Sequence, residues 1–317
     1  MNDKIDPVFN DRQIIESRGE KNVVDPDKPY AWLVEKEHTA AGKIEDTAIV
    51  FLTNRECPWH CLMCDLWKNT TDTSVPKGAI PRQIEWALKQ FSGVKHIKLY
   101  NSGSFFDTRA IPVEDYRAIA GLLSDFSTVI VENHPGLISE ECLTFGNILK
   151  PELQIAMGLE TVHPVVLKML NKKMSAEDFK KAVVFLTDNN ITTRAFILLK
   201  PPFMNEDEGI YWAERSLDFA FGCGVECCTI IPVRGGNGSM EKLREQGEFS
   251  PPSLLSLEKV LEYGIGLSRG RVFADTWDLH LFSSCNDCSD NRIKRLTSMN
   301  LEQKILSRVD CNCEELK

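Results

Sequence analysis

No apolar run in this chain approaches the length needed to cross a bilayer. The first residues, MNDKIDPVFNDRQIIESRGEK, are polar where a secretory signal would carry an apolar core. Both absences point to a soluble, cytoplasmic protein. Positive charge is in deficit as well. Thirty-seven Lys and Arg face 46 Asp and Glu, for a net charge of -9. Such a balance gives no general attraction to phosphate backbones or anionic lipid and leaves only a local basic patch as a route to nucleic acid. Internal repeats and low-complexity segments are absent too. The apolar share of 43% suits an ordinary globular core, and 317 residues have room for two average domains or one α/β barrel with extensions.

What the sequence does have is cysteine, 11 of them. In a reducing compartment, clustered cysteines serve more often as metal ligands or catalytic groups than as disulfides. Cys57, Cys61 and Cys64 form one tight group, and Cys285, Cys288, Cys311 and Cys313 form another. Both have ligand-like spacing. Cys223, Cys227 and Cys228 flank an apolar stretch and read as small core residues, with neighbours on a strand pointing to opposite faces. Cys142 stands alone.

Residues 1–46 are charged and rich in turn signals, which predicts an irregular N-terminal extension with one short ordered piece near PYAWLVEKE. The strand 47–52 follows and runs straight into the first cysteine group. Helical and strand patterns then alternate, with helices over 81–91, 113–123, 139–149, 175–190, 206–222 and 253–269. The strands between them are 96–102, 128–134, 153–160, 192–200, 226–233 and 271–277. Ser139 and Ser175 stand where helix N-caps belong. Six or seven short β-branched runs joined by helices imply right-handed βαβ crossovers and a parallel sheet, either open and doubly wound or closed toward a barrel. In both, chemistry belongs at the C-terminal ends of the strands. The core then spans 47–280, and 281–317 is a cysteine-rich metal-binding extension.

The segment NRECPWHCLMCDLWKN places Cys-x3-Cys-x2-Cys directly after the first strand. Three thiolates on one loop can each hold one iron of a [4Fe–4S] cluster and leave the fourth iron without a protein ligand. That iron can chelate the amino and carboxylate groups of a methionine moiety. The other reading is a zinc knuckle with His60 as fourth ligand, although His60 immediately precedes Cys61, which makes joint chelation awkward.

Cys57-x3-Cys61-x2-Cys64 after the first strand of a βα array resembles the radical S-adenosylmethionine superfamily, with Met63 where that superfamily often has an aromatic residue. The resemblance implies a partial (βα)6 parallel barrel of radical S-adenosylmethionine type, a [4Fe–4S] cluster and S-adenosylmethionine as cofactors, and an electron donor such as flavodoxin or ferredoxin. It also implies a glycine-containing motif after the second strand that receives the methionine amino group, here Ser102, Gly103 and Ser104 in LYNSGSFFD. Glu160 in MGLETVHP is the candidate for the ribose hydroxyls. Arg194 or Lys200 in RAFILLK is the candidate for the methionine carboxylate, Lys200 being nearer the strand end. Glu132 and His134 also end a strand at the rim, and the loop PVRGGNGSM could lie against adenine or substrate. The strings LYNSGSFFD, GLETVHPVVLKMLNK and FILLKPPF are similar to the elongator-type branch, and within it to the archaeosine-forming proteins that act on tRNA with a partner subunit. Those relatives space their first two cluster cysteines more widely, a departure that bears on shared substrate.

In the tail, Cys285-x2-Cys288 and Cys311-x-Cys313 supply four thiolates, a set that suits a second [4Fe–4S] cluster or a structural zinc. The 22 residues between the pairs are enough for a helix over RIKRL and MNLEQKIL to bring them together and close the open end of the barrel. Arg292, Lys294, Arg295, Lys304 and Arg308 form the one notable basic run, either a phosphate contact or a solvated helix face. The function expected is hydrogen abstraction by a 5′-deoxyadenosyl radical. Its substrate is a small metabolite or peptide, or a tRNA nucleoside. The alternative is a non-catalytic iron–sulfur electron-transfer protein or a zinc-binding structural protein.

Overall fold

The computed structural model describes residues 9–311 and 313. Eight strands form one sheet in chain order: β1 (Ala31–His38), β2 (Ile44–Phe51), β3 (His96–Tyr100), β4 (Thr128–Glu132), β5 (Glu152–Glu160), β6 (Thr192–Leu199), β7 (Cys227–Pro232) and β8 (Arg271–Ala274). β1 pairs antiparallel with β2, and every later pair is parallel. The helices are α1 (Asp11–Ser17), α2 (Ala79–Leu88), α3 (Tyr116–Leu122), α4 (Glu140–Ile148), α5 (Pro164–Met169), α6 (Ala176–Asp188), α7 (Glu206–Cys223), α8 (Ser239–Glu245), α9 (Leu254–Gly266) and α10 (Asn286–Glu302). The sheet curls into a partial barrel, and its seven parallel strands, β2 to β8, fall on the seven strand segments read from the sequence.

Local sequence explains most of these elements. β5 is buried along all but its first residue, as a parallel strand covered on both faces must be. β1 instead alternates between half-buried and exposed positions along AWLVEK. The ordered piece near PYAWLVEKE is this strand, and it belongs to the sheet. α6 and α7 start on reciprocal capping boxes, Ser175 with Asp178 and Asn205 with Glu208. Gly224 ends α7 with φ +99°, a left-handed conformation that glycine adopts without strain. Ser139 is a correction: it precedes α4 but makes no cap bond, because its hydroxyl is turned to Glu141.

α10 lies along the seam between the two edge strands and packs on both β1 and β8. Its side-chain amides replace a missing strand. Asn300 accepts from Ala274 N and donates to Ala274 O, both at 2.8 Å. Gln303 does the same with Val272, at 2.9 Å each way. On the other edge, His38 Nδ1 is 2.8 Å from Leu301 O, and Arg271 Nη1 donates to His38 O at 2.9 Å. The tail therefore closes the side of the barrel; the expectation was its end.

Candidate functional site

Cys57, Cys61 and Cys64 sit on the loop after β2 and line a cavity of about 610 Å³ inside the barrel, a size typical of ligand sites. The loop is braced through its backbone. Leu62 N donates to Leu170 O at 2.9 Å, and Asn171 Nδ2 donates to His60 O at 2.7 Å. Asn237 Nδ2 donates to Leu62 O at 2.7 Å and Cys64 O at 3.2 Å. PVRGGNGSM thus supports the cysteine loop, a role different from the expected contact with adenine or substrate. Across the loop, a Cβ on Gly103 would stand 3.4 Å from Cys57 Cβ. The bare backbone lets the two segments close up.

Burial pushes each of the three thiols up to about 12, so as free groups they are neutral and poor nucleophiles at neutral pH. A bound metal reverses this, because it holds the thiolate outright. Three thiols turned into one cavity fit a cluster held by three cysteines. They do not fit the zinc knuckle. His60 is directed at Asp11 and Glu56, each 3.9 Å away, and is not among the residues lining the cavity.

Ser102, Gly103 and Ser104 line the cavity beside the cysteines. Glu132 holds this turn from below, with its Oε1 accepting from Asn101 N at 2.5 Å and Gly103 N at 3.4 Å. Burial raises the Glu132 carboxyl to about 7, against the pull of these backbone N–H groups. Ser102 Oγ is 3.0 Å from Tyr30 Oη, and Ser104 Oγ accepts from His134 N at 3.0 Å. His134 is a support. Its Nδ1 accepts from Gly136 N, so Nε2 carries the proton and donates to Lys172 O, both at 3.0 Å. Its ring stacks on Trp59 at 3.8 Å, and burial lowers it to about 4.

Glu160 ends β5 with φ +64°, just past a register shift between Gly158 and Glu160. A bulge of this kind re-aims a side chain, and here the carboxylate enters the cavity. Its Oε1 pairs with Lys172 Nζ. Any Cβ on Gly158 would collide with both partners. Lys172 is half-buried and stays charged: burial disfavours its charge, but Glu160 beside it outweighs that. The turn around it uses two left-handed residues, Asn171 at φ +55° and Lys173 at φ +58°. Ser102 (φ +52°) and Lys200 (φ +53°) are left-handed as well, so three strand ends at the rim carry a non-glycine residue in this uncommon region.

Arg194 and Lys200 are already partnered inside the protein. Arg194 lines the cavity, but it binds Glu37 of β1 and Gln154, and Glu37 also binds Lys98. Burial would raise the Glu37 carboxyl, but Arg194 and Lys98 hold it well below the usual carboxylate range. Lys200 is not among the lining residues. Its ammonium group donates to Glu206 at 2.7 Å and Ser250 at 2.9 Å. Lys172 is the cation that stands beside Glu160 and the cysteines; it ends the string GLETVHPVVLKMLNK, which by itself gives it no role.

Far from this loop, the Sγ atoms of Cys285, Cys288, Cys311 and Cys313 all lie within 4.8 Å of one another. The basic run beside them is largely committed to α9. Arg292 pairs with Glu258, Arg295 with Glu258 and Glu262, and Arg308 with Glu262. Three of its five cations are therefore engaged away from any phosphate.

No family model matches the chain. It is 26% identical to archaeosine synthase subunit beta of Methanosarcina acetivorans, over 85% of this chain and 83% of that one. It is also 26% identical to an uncharacterized protein of Methanocaldococcus jannaschii, over 93% of this chain and 87% of that one. Among solved structures, SuiB of Streptococcus suis bound to S-adenosylmethionine superposes with a TM-score of 0.55 at 14% identity, covering 75% of this chain. The chain spans about half of SuiB, 54% of its length, and the likeness is one of fold. The fold is the one seen in proteins of the radical S-adenosylmethionine superfamily. In that superfamily its partial barrel is the expected scaffold, and the cysteine loop after the first parallel strand stands at the expected rim.

Proposed function

We propose that the protein is a radical S-adenosylmethionine enzyme that holds a [4Fe–4S] cluster on Cys57, Cys61 and Cys64 and cleaves S-adenosylmethionine reductively. The observation that carries the reading is the convergence of three thiols, the Ser102–Gly103–Ser104 turn and Glu160 on one cavity. When bound, the cluster supplies one electron, delivered by a donor such as flavodoxin or ferredoxin, to break a C–S bond of S-adenosylmethionine. The protein supplies position and exclusion of water. Ser102 and the adjoining backbone face the methionine amino group, with Glu132 fixing the turn. Glu160 has Oε1 committed to Lys172, so Oε2 is the oxygen that accepts from a ribose hydroxyl. Lys172 is the cation placed for the methionine carboxylate, since Arg194 is held by Glu37. Phe51, Tyr100, Phe196 and Trp277 form an apolar wall that shields the site.

For the substrate, the relatives named archaeosine synthase subunit beta favour a modified tRNA nucleoside, acted on together with a partner subunit, over a small metabolite or peptide. Anaerobic reconstitution followed by assay for 5′-deoxyadenosine with dithionite tests the cleavage. Product is expected from the native chain and none from the Cys57→Ala, Cys61→Ala, Cys64→Ala variant. Full cleavage by that variant would overturn the assignment and return the non-catalytic electron-transfer or zinc-binding reading to first place.

A further inference from the structure

We infer that Cys285, Cys288, Cys311 and Cys313 hold a single zinc ion in a closed tetrathiolate site, and that no second iron–sulfur cluster is bound there. The argument is one of size. Zinc–thiolate bonds of about 2.3 Å meeting at the tetrahedral angle set the sulfurs about 3.8 Å apart. Cys285 Sγ and Cys311 Sγ are 3.8 Å apart, and Cys288 Sγ and Cys313 Sγ are 3.7 Å apart. All four sulfurs fall within 4.8 Å. A cubane interposes its own iron and sulfide between the cysteines and spreads their sulfurs to roughly 6 Å. The four thiols are therefore already gathered around a point that one ion fills and a cubane overfills.

The surroundings fit the same ion. Cys285 is the residue before α10, and Cys288 lies in its first turn, so the free N–H groups of the helix start face the sulfurs. Arg292 Nε donates to Cys288 Sγ at 3.2 Å, and its other arm is paired with buried Glu258. A zinc with four thiolates carries two net negative charges, and a fixed guanidinium beside one sulfur both offsets and orients it. All four tetrahedral positions are taken by protein, which is the pattern of a structural ion.

The ion would have a mechanical task. From the end of α10 the chain runs back along that helix, where Arg295 donates to Leu306 O at 2.6 Å and Ser307 O at 2.8 Å. Cys311 and Cys313 are the last points of this return. Zinc ties it to the start of α10 and so fixes the helix that fills the barrel seam and supplies Thr297, Asn300 and Leu301 to the cavity wall.

Metal and sulfide analysis of the full chain, purified without oxygen, tests the inference. The Cys57→Ala, Cys61→Ala, Cys64→Ala variant should retain about one zinc per chain and lose essentially all iron and sulfide. The Cys285→Ser, Cys288→Ser, Cys311→Ser, Cys313→Ser variant should do the reverse. Should that second variant fail to fold, X-ray absorption at the zinc edge of the native protein decides, with four sulfurs at about 2.3 Å expected. Four irons and sulfides persisting in the first variant would overturn the proposal. So would zinc bound through nitrogen or oxygen, or a metal-free tail with Cys285–Cys311 and Cys288–Cys313 disulfides.

Discussion

The two cysteine groups of this protein use the same atoms for opposite ends. Cys57, Cys61 and Cys64 line a cavity, Cys61 buried and the other two partly so, and their loop is braced through its backbone by Leu170, Asn171 and Asn237. Cys285, Cys288, Cys311 and Cys313 are gathered within 4.8 Å of each other. They stand against a helix start and an arginine and do not line the barrel cavity. Three ligands and an opening leave a coordination position for a reactant, whereas four ligands without an opening leave none. Sequence spacing alone makes both look like metal sites. The spread of the sulfurs and what faces them tell a site that reacts from one that holds.

The comparison breaks most visibly if its supports are exchanged. Arg292→Ala removes one partner of a buried ion pair and the donor to Cys288, and should cost about 3–5 kcal/mol of stability, toward the lower end because Arg295 also reaches Glu258. Zinc occupancy should fall with it while iron on the open loop is unchanged. Urea unfolding together with metal analysis reads both. A loss of iron equal to the loss of zinc would mean that the two groups are not independent.

At the open site, Glu160→Ala should weaken S-adenosylmethionine binding to the reconstituted protein by about 1–3 kcal/mol, the scale of a hydrogen bond to a charged group. Gly158→Ala should produce the same defect with the carboxylate still present, because its methyl group would displace Glu160 from Lys172. Calorimetric titration compares the two. Unchanged binding in both variants would remove Glu160 from the site.

The smallest effect is a pair of opposed titrations next to the open site. Glu132 keeps its proton up to about 7 in the fold but only to 4.5 when unfolded, so its contribution is complete below 4.5 and is lost as pH rises through about 7. His134 is protonated near 6.5 when unfolded and only near 4 in the fold, so stability is lost as pH falls. Each amounts to about 1.4 kcal/mol per pH unit, and between about pH 4.5 and 6.5 they cancel. Glu132→Gln should expose a stability that drops toward acid, and His134→Asn one that drops toward neutrality. Urea midpoints at about pH 5 and 6.5 would show it. Slopes in both variants equal to that of the native protein would sink the pairing.

The alternation of strands and helices was legible because buried parallel strands and amphipathic helices differ in period, and the cysteine loop could be placed because it follows the first parallel strand. Ser102 to Ser104 and Glu160 fall at strand ends, which the pattern also marks. What stayed hidden was long-range pairing. Nothing near Arg194 reveals that Glu37, at the end of the short ordered piece of the N-terminal extension, claims its guanidinium. Lys200 was chosen for its nearness to the strand end, but the left-handed turn at that residue sends it to Glu206. Lys172 ends the string GLETVHPVVLKMLNK, but it owes its place in the cavity to the left-handed residues on either side, which the string does not reveal. The edge role of β1 was obscured because its polar residues are bunched at Glu35 to His38, where a strand with one solvated face would alternate.

The amides of Asn300 and Gln303 have one more consequence. Each occupies both the donor and the acceptor of a β8 residue, so the terminal strand offers no free N–H or C=O at Val272 or Ala274. A flexible peptide or a second subunit cannot lengthen this sheet at β8 by adding a strand of its own. A macromolecule that binds at this edge must grip the protein through side chains. Recognition is thereby tied to residue identity, where backbone pairing would have accepted almost any sequence.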